Sequence, residues 1–370
     1  MMSKSLIRAL AAVIVVQASE AIPAPSATSS PETETTNANF GPVPGLSQLF
    51  DDYTGLAPPF PENVTKPIPA TAIGNPAPDD TLWQNPFAAE WIIYSFYQLA
   101  VTTFNASSFT ALGLPNNTLQ RVTEIRDNEA GHLRIFQDKI SPSSVKPGAC
   151  EYDFPLDGQA TNFLALSTLI EIASMVFLIG LVQEAKEDVA KGALTAISQV
   201  ETRHEIWSLL EVWGVDPFGG PSDTVFPYPN EILDITNRFV VPGSCPHANP
   251  PFPNPSQNLP RIGVASWTES VTVSSTVQLN FTDPVNQPHF ENNAEYYAVF
   301  FHGVDVISAP LVMTHWPEQP PNVTIPAEFE AKGVVIMVIA TMRGAPTLSS
   351  VVAGPAIFLQ QPAELGIKVI

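Results

Sequence analysis

Between Glu124 and Trp207 the same spacing occurs twice, as Glu129-Ala-Gly-His132 and Glu201-Thr-Arg-His204. Both pairs sit in stretches with helical periodicity, and a Glu and a His three residues apart on a helix leave from one face. Val122, Ile125, Glu129, His132 and Phe136 recur at three- and four-residue steps, so the first pair belongs to a buried stripe. Between the pairs, Glu171 is the sole charged residue from Ala160 to Val182. A lone carboxylate at that depth is costly unless something neutralises it. One such Glu-His spacing is a chance pattern of solvated side chains. Two around a buried Glu point to a shared site, and the competing reading is a buried hydrogen-bonded polar network.

Four long helices can be placed around these residues. Asn85-Pro86 offers an N-cap followed by proline at the first helical position, and the helix runs on through Glu90 to about Phe104. A second helix is expected from after Pro115 to about Ile140, a third from Gln159 to Lys186 and a fourth from Val189 to Trp213. The tight join between the last two makes them antiparallel. The 18 residues Ser141–Gly158, rich in proline, can extend over at most about 60 Å, enough to return along a bundle. Two hairpins joined by such a crossover form the ferritin-like topology. The third helix is long enough to span a membrane, but Glu171 at its centre favours a bundle core. A short helix near Asn230–Asn237 is expected to cap the bundle.

In a bundle of this kind a dinuclear carboxylate centre takes a Glu from each of two helices and a Glu-x-x-His pair from each of the other two. Glu90, Glu129 with His132, Glu171, and Glu201 with His204 fall in that order. Four carboxylates balance two divalent cations, and hard oxygen donors with two imidazoles suit two iron or manganese ions, with zinc also compatible. Glu171 and one other Glu are the expected bridges.

The ends and composition set the compartment. Lys4 and Arg8 precede an apolar run, Ala9–Val16, and Ser19-Glu20-Ala21 supplies small residues for cleavage, so residues 1–21 read as a signal peptide. That run is too short for a bilayer span, and no lipid-anchor tail closes the chain. Residues 22–80 form a Pro/Ser/Thr-rich leader, extended and partly disordered. Five sequons, at Asn63, Asn105, Asn116, Asn280 and Asn322, fit an exported glycoprotein that is extracellular or in a cell wall. In that compartment Cys150 and Cys245 are expected to pair as a disulfide, the alternative being two buried thiols. A net charge of −20 argues against nucleic acid and anionic membrane surfaces as partners.

The bundle is expected over residues 81–245, followed by a Pro-rich linker, 246–260. Beyond it, seven β-rich runs begin near Ile262, Val271, Glu295, Val304, Asn322, Val334 and Val351. They predict a β-sandwich over residues 261–370, and hence an α+β multidomain chain. That sandwich offers no convincing active site, since His302 and His315 stand alone, but it could serve cell-wall docking or self-association.

Glu129-Ala-Gly-His132, Glu201-Thr-Arg-His204, Leu169-Ile170-Glu171, Ala149–Phe154, Ser244-Cys245-Pro246 and Ala353–Ala356 together resemble the secreted ferritin-like family of filamentous fungi. That family includes late sexual development, sclerotium-associated and stress-response proteins, and is distantly similar to plant desiccation-related proteins. The resemblance covers most of the mature chain. It implies a ferritin-like bundle and a role in development or stress, without a settled activity. If the protein is an enzyme, a di-metal oxidoreductase of ferroxidase or catalase type is expected. The alternative is a non-catalytic structural, storage or protective protein with a degenerate site. Helix one of the family tends to carry two acidic positions three apart; here they are Glu90 and Ile93.

Overall fold

The computed structural model describes residues 65–218, 226–254, 258–264, 273–291, 293–314, 316–329 and 333–360. The expected signal peptide, most of the leader, Asn63 and His315 lie outside these residues.

Four helices form the bundle: α1 (Asp80–Thr103), α2 (Thr118–Lys139), α3 (Ala160–Glu184) and α4 (Asp188–Trp207). α1 pairs with α2 and α3 with α4, giving the two hairpins. α3 is the one helix among the described residues long and apolar enough to cross a membrane, and it is enclosed by its neighbours. Its apolar residues surround the helix on all sides, as a fully covered core helix requires. α4 ends in a wide turn of π type, Ser208–Val212, rather than running as regular helix to Trp213. Thr168 holds that turn, with its hydroxyl 2.6 Å from Ser208 Oγ and accepting from Trp213 Nε1 at 2.9 Å.

The start of α1 differs from expectation. The helix begins at Asp80, and Pro86 lies inside it. Asn85 is not a cap: its side chain donates to Asn230 Oδ1 and the Asn254 carbonyl, and accepts from Asn254 N. Two buried aspartates set the entry instead. Asp79 accepts from the backbone N–H groups of Lys186 and Glu187 at the α3–α4 join. Asp80 accepts from Ser141 N, Ser141 Oγ and Ser144 Oγ at the start of the crossover. The start of α1 thus ties the end of α2 and the α3–α4 join together at one end of the bundle.

The crossover is strapped from outside. Ile68 pairs with Lys146 in both directions, and Ala149 N donates to Thr65 O. Gly148 permits this approach, because a Cβ there would lie 2.4 Å from Pro67 N. Cys150 and Cys245 form a disulfide, and Asn249 exchanges two hydrogen bonds with the Gly148 backbone. The stretch read as linker is therefore pinned to the bundle over residues 249–254.

All seven expected strands are present in part: β1 (Ile262–Val264), β2 (Thr276–Phe281), β3 (Tyr297–His302), β4 (Asp305–Pro310), β5 (Asn322–Thr324), β6 (Gly333–Ala340) and β7 (Val351–Gln360). They make two antiparallel sheets, β1-β2-β5 and β4-β3-β6-β7. Alternation along β3 and β6 gives the larger sheet two apolar faces. Ala298, Phe300, Val335 and Met337 pack toward the smaller sheet. Val299, Phe301, Ile336 and Val338 join the core of the bundle. Between sheet and bundle lies α5 (Pro229–Asn237), and Phe226 just ahead of it meets Phe301 edge-on at 5.3 Å.

Candidate metal centre

Glu90 on α1, Glu129 and His132 on α2, Glu171 on α3, and Glu201 and His204 on α4 all point into the middle of the bundle, each no more than 6 % exposed. Their donor atoms form two groups. Glu90, Glu129, His132 and Glu201 make one; Glu129, Glu171, Glu201 and His204 make the other. Within each group all atoms lie within 4.8 Å of one another. Glu129 and Glu201 belong to both, whereas Glu90 and Glu171 each serve one. Glu171 was the expected bridge, whereas the carboxylates common to both groups are those of the two Glu-x-x-His pairs.

Both imidazoles turn Nδ1 inward. His132 Nδ1 lies 2.9 Å from Glu129 Oε2, 3.2 Å from Glu201 Oε1 and 3.3 Å from Glu90 Oε1. His204 Nδ1 lies 3.1 Å from Glu129 Oε1, 3.2 Å from Glu171 Oε2 and 3.6 Å from Glu201 Oε2. His204 Nε2 is 3.1 Å from Asn128 Oδ1, which can only accept, so Nε2 carries a proton and the ring presents Nδ1 to the cluster. Tyr97, buried between Phe96 and Phe163, donates its hydroxyl to Glu171 Oε1.

Burial, then the Glu129 charge, push the Glu90 carboxyl well above the usual carboxylate range. Burial does the same to Glu171 against the pull of His204. Burial also opposes charge on Glu129 and Glu201, as does the Glu201 charge at Glu129, but the facing imidazoliums prevail and both groups are held low. Burial works against a charge on either imidazole, yet the surrounding carboxylates raise His132 and His204 well above the ordinary histidine value. Burial thus favours the protonated form of Glu90 and Glu171, while the imidazoles and the Glu129 and Glu201 carboxylates favour charge in one another.

The donor set fits cations. Glu90 Oε1, Glu129 Oε1 and both oxygens of Glu201 are fully buried and make no hydrogen bond, having an imidazole Nδ1 at 3.1–3.6 Å without hydrogen-bond geometry. Unsatisfied oxygens of this kind, converging with two imidazole nitrogens, are what hard to borderline divalent ions require. These residues could hold a metal ion in either group. A narrow apolar recess bounded by Ile93, Phe136, Ala173 and Phe177 reaches Glu90. Ile93 is thus a wall of the recess beside the centre.

Sequence reasoning missed Tyr97, Asn128 and the aspartate pair. Tyr97 follows Glu90 by two helical turns, a spacing that places both on one face, whereas nothing in the pattern marks Asn128. Of the remaining candidates, His302 is a structural histidine whose Nδ1 lies 2.9 Å from the Val334 carbonyl oxygen. Asn105 and Asn116 are exposed, Asn105 also capping a short helical turn through Ser108. Asn280 and Asn322 sit half-buried in β2 and β5.

No curated protein matches the chain. Residues 79–209, which contain all six clustered side chains, match the family model of the ferritin-like domain.

Proposed function

We propose that the bundle holds two divalent cations of the iron or manganese class, with Glu129 and Glu201 shared between them. Glu90 with His132 and Glu171 with His204 would complete the two sides. The observation that carries this reading is the pair of overlapping donor groups with their carboxylate oxygens that make no hydrogen bond. When bound, such a pair supplies one-electron redox chemistry toward dioxygen or peroxide, so the activity would be of ferroxidase or catalase type. The protein's own part is positional. Tyr97 fixes Glu171 by occupying Oε1, Asn128 fixes the His204 ring, and the recess around Ile93 keeps water from Glu90. Glu90 and Glu171 carry the protons that cation uptake displaces.

The proposal extends to the setting. The N-terminal pattern and the disulfide support export to the cell exterior or wall, Asn105 and Asn116 being the exposed sequons. The fungal resemblance supports a role in sexual development, resting structures or stress. Elemental analysis of protein produced with iron and manganese tests the metal reading: about two ions per chain are expected. Less than about half an ion per chain overturns it.

One observation favours a second reading. Contacts of 2.9–3.6 Å already join the imidazoles to the carboxylates, so the cluster can persist as a self-neutralised polar core in a protective or storage protein. In that case Glu171→Gln and His204→Ala alter stability and leave function in the organism intact.

A further inference from the structure

At the C-terminal end of α5, a narrow cleft open to solvent runs between bundle and sandwich. Leu169 and Ile235 line it from the bundle, and Gly263, Pro355 and Ala356 from the sheets. Two arginines share it. Arg238 follows the last residue of α5, and Arg261 precedes β1. The Arg238 guanidinium lies against the Phe239 ring at 4.8 Å, and its Nε is buried without a hydrogen-bond partner. Among the described residues neither arginine has a carboxylate partner, in a chain with 36 acidic and 16 basic residues.

A single cation at the end of α5 needs no special account, because the helix dipole favours it there. A second in the same cleft is different. Two guanidiniums brought together repel, and a buried donor left unmade is costly. Burial, and then Arg261, push the Arg238 guanidinium down to about 10. An anion between them removes both penalties. The forks come from two separate elements, so they meet a ligand from different directions. A tetrahedral oxyanion offers oxygens on several sides, whereas a carboxylate offers two in one plane. The Thr282 side chain lines the same cleft.

From this arrangement we infer that the cleft between α5, β1 and β7 binds a small oxyanion of the phosphate class, held by Arg238 and Arg261. The inference does not depend on the bundle holding metal. The test is calorimetric titration of the full chain with inorganic phosphate at constant ionic strength, with thermal unfolding beside it. Expected results are saturable binding near one phosphate per chain, a rise in Tm absent with equivalent chloride, and at least about tenfold weaker binding in Arg261→Gln. Arg261 is the primary substitution because it is not embedded in α5; Arg238→Gln should weaken binding at least as much where it folds. No saturable binding up to about 10 mM phosphate overturns the inference. So does binding that survives Arg261→Gln.

Discussion

Loading the bundle centre with metal should expel protons, and the directions in which its six groups are shifted give the expected number. His132 and His204 are held protonated by the carboxylates around them, and Glu90 and Glu171 are held protonated first of all by burial. Glu129 and Glu201 are already ionised. Ligands must be deprotonated, so two ions taken up near neutral pH should release about four protons. The sign follows directly. All four groups lose a proton on binding, so affinity rises with pH, by up to about four powers of ten per pH unit for the loaded pair while all four remain protonated in the metal-free protein. Calorimetry in buffers of different ionisation enthalpy reads the proton count. Glu90→Gln should reduce it by one, because that carboxyl carries a displaced proton. Glu129→Gln should not behave this way: it removes a shared donor and lowers the number of ions bound, for both groups use that carboxylate. Release of fewer than about one proton per two ions would refute the charge assignment. Equal effects of the two substitutions on ion number would refute the division into shared and single-sided ligands.

Two further outcomes concern the scaffold. Burial works against the Asp80 charge, but hydrogen bonds from Ser141, Ser144 and Ala77 hold its carboxyl below the usual range. A lowered value means the stabilisation is present above the unfolded pKa of about 4 and is lost as pH falls through the folded value. Asp80→Asn should cost about 3 kcal/mol near pH 7, by urea unfolding, with the difference from the parent chain shrinking below about pH 4. A difference that stays constant to pH 2 would contradict the role given to this carboxylate. Replacing Cys150 and Cys245 by serine releases a closure spanning 95 residues, worth about 4–5 kcal/mol in the chain-entropy limit. A loss under about 1 kcal/mol would show that the strap of Thr65–Ile68 and Asn249 holds the crossover without it.

What the sequence revealed and what it hid divide along a physical line. Periodicity located the helices and strands because burial on one face imposes a repeat, and the six centre residues were legible because acids in an apolar stripe break that repeat. The start of α1 was misread because Asn85-Pro86 has the chemistry of a helix start, while its actual partners, Asn230 and Asn254, lie 145 and 169 residues away. Asp79 and Asp80 were hidden for the same reason, since their partners are loop N–H and hydroxyl groups elsewhere in the chain. Helical spacing gives the face of a side chain but not its depth along the bundle axis, so the grouping of donors was not legible: Glu171 stood out by its isolation in an apolar helix, whereas the carboxylates common to both groups, Glu129 and Glu201, lie on the neighbouring helices α2 and α4.

The two sides of the centre are chemically unequal. On the Glu171 side each ligand is held by a neutral donor or acceptor: Tyr97 occupies one carboxylate oxygen and Asn128 fixes the imidazole tautomer. On the Glu90 side Ile93 and the apolar recess stand beside the carboxylate, whose Oε1 faces His132 Nδ1 at 3.3 Å without a hydrogen bond. Fixed ligands bind an ion with little reorganisation, and a ligand beside an apolar recess keeps more freedom to move. Ile93, three residues after Glu90 on α1, stands in the wall of that recess. An apolar side chain there leaves all six buried donors in place and lines the Glu90 side of the centre with hydrocarbon.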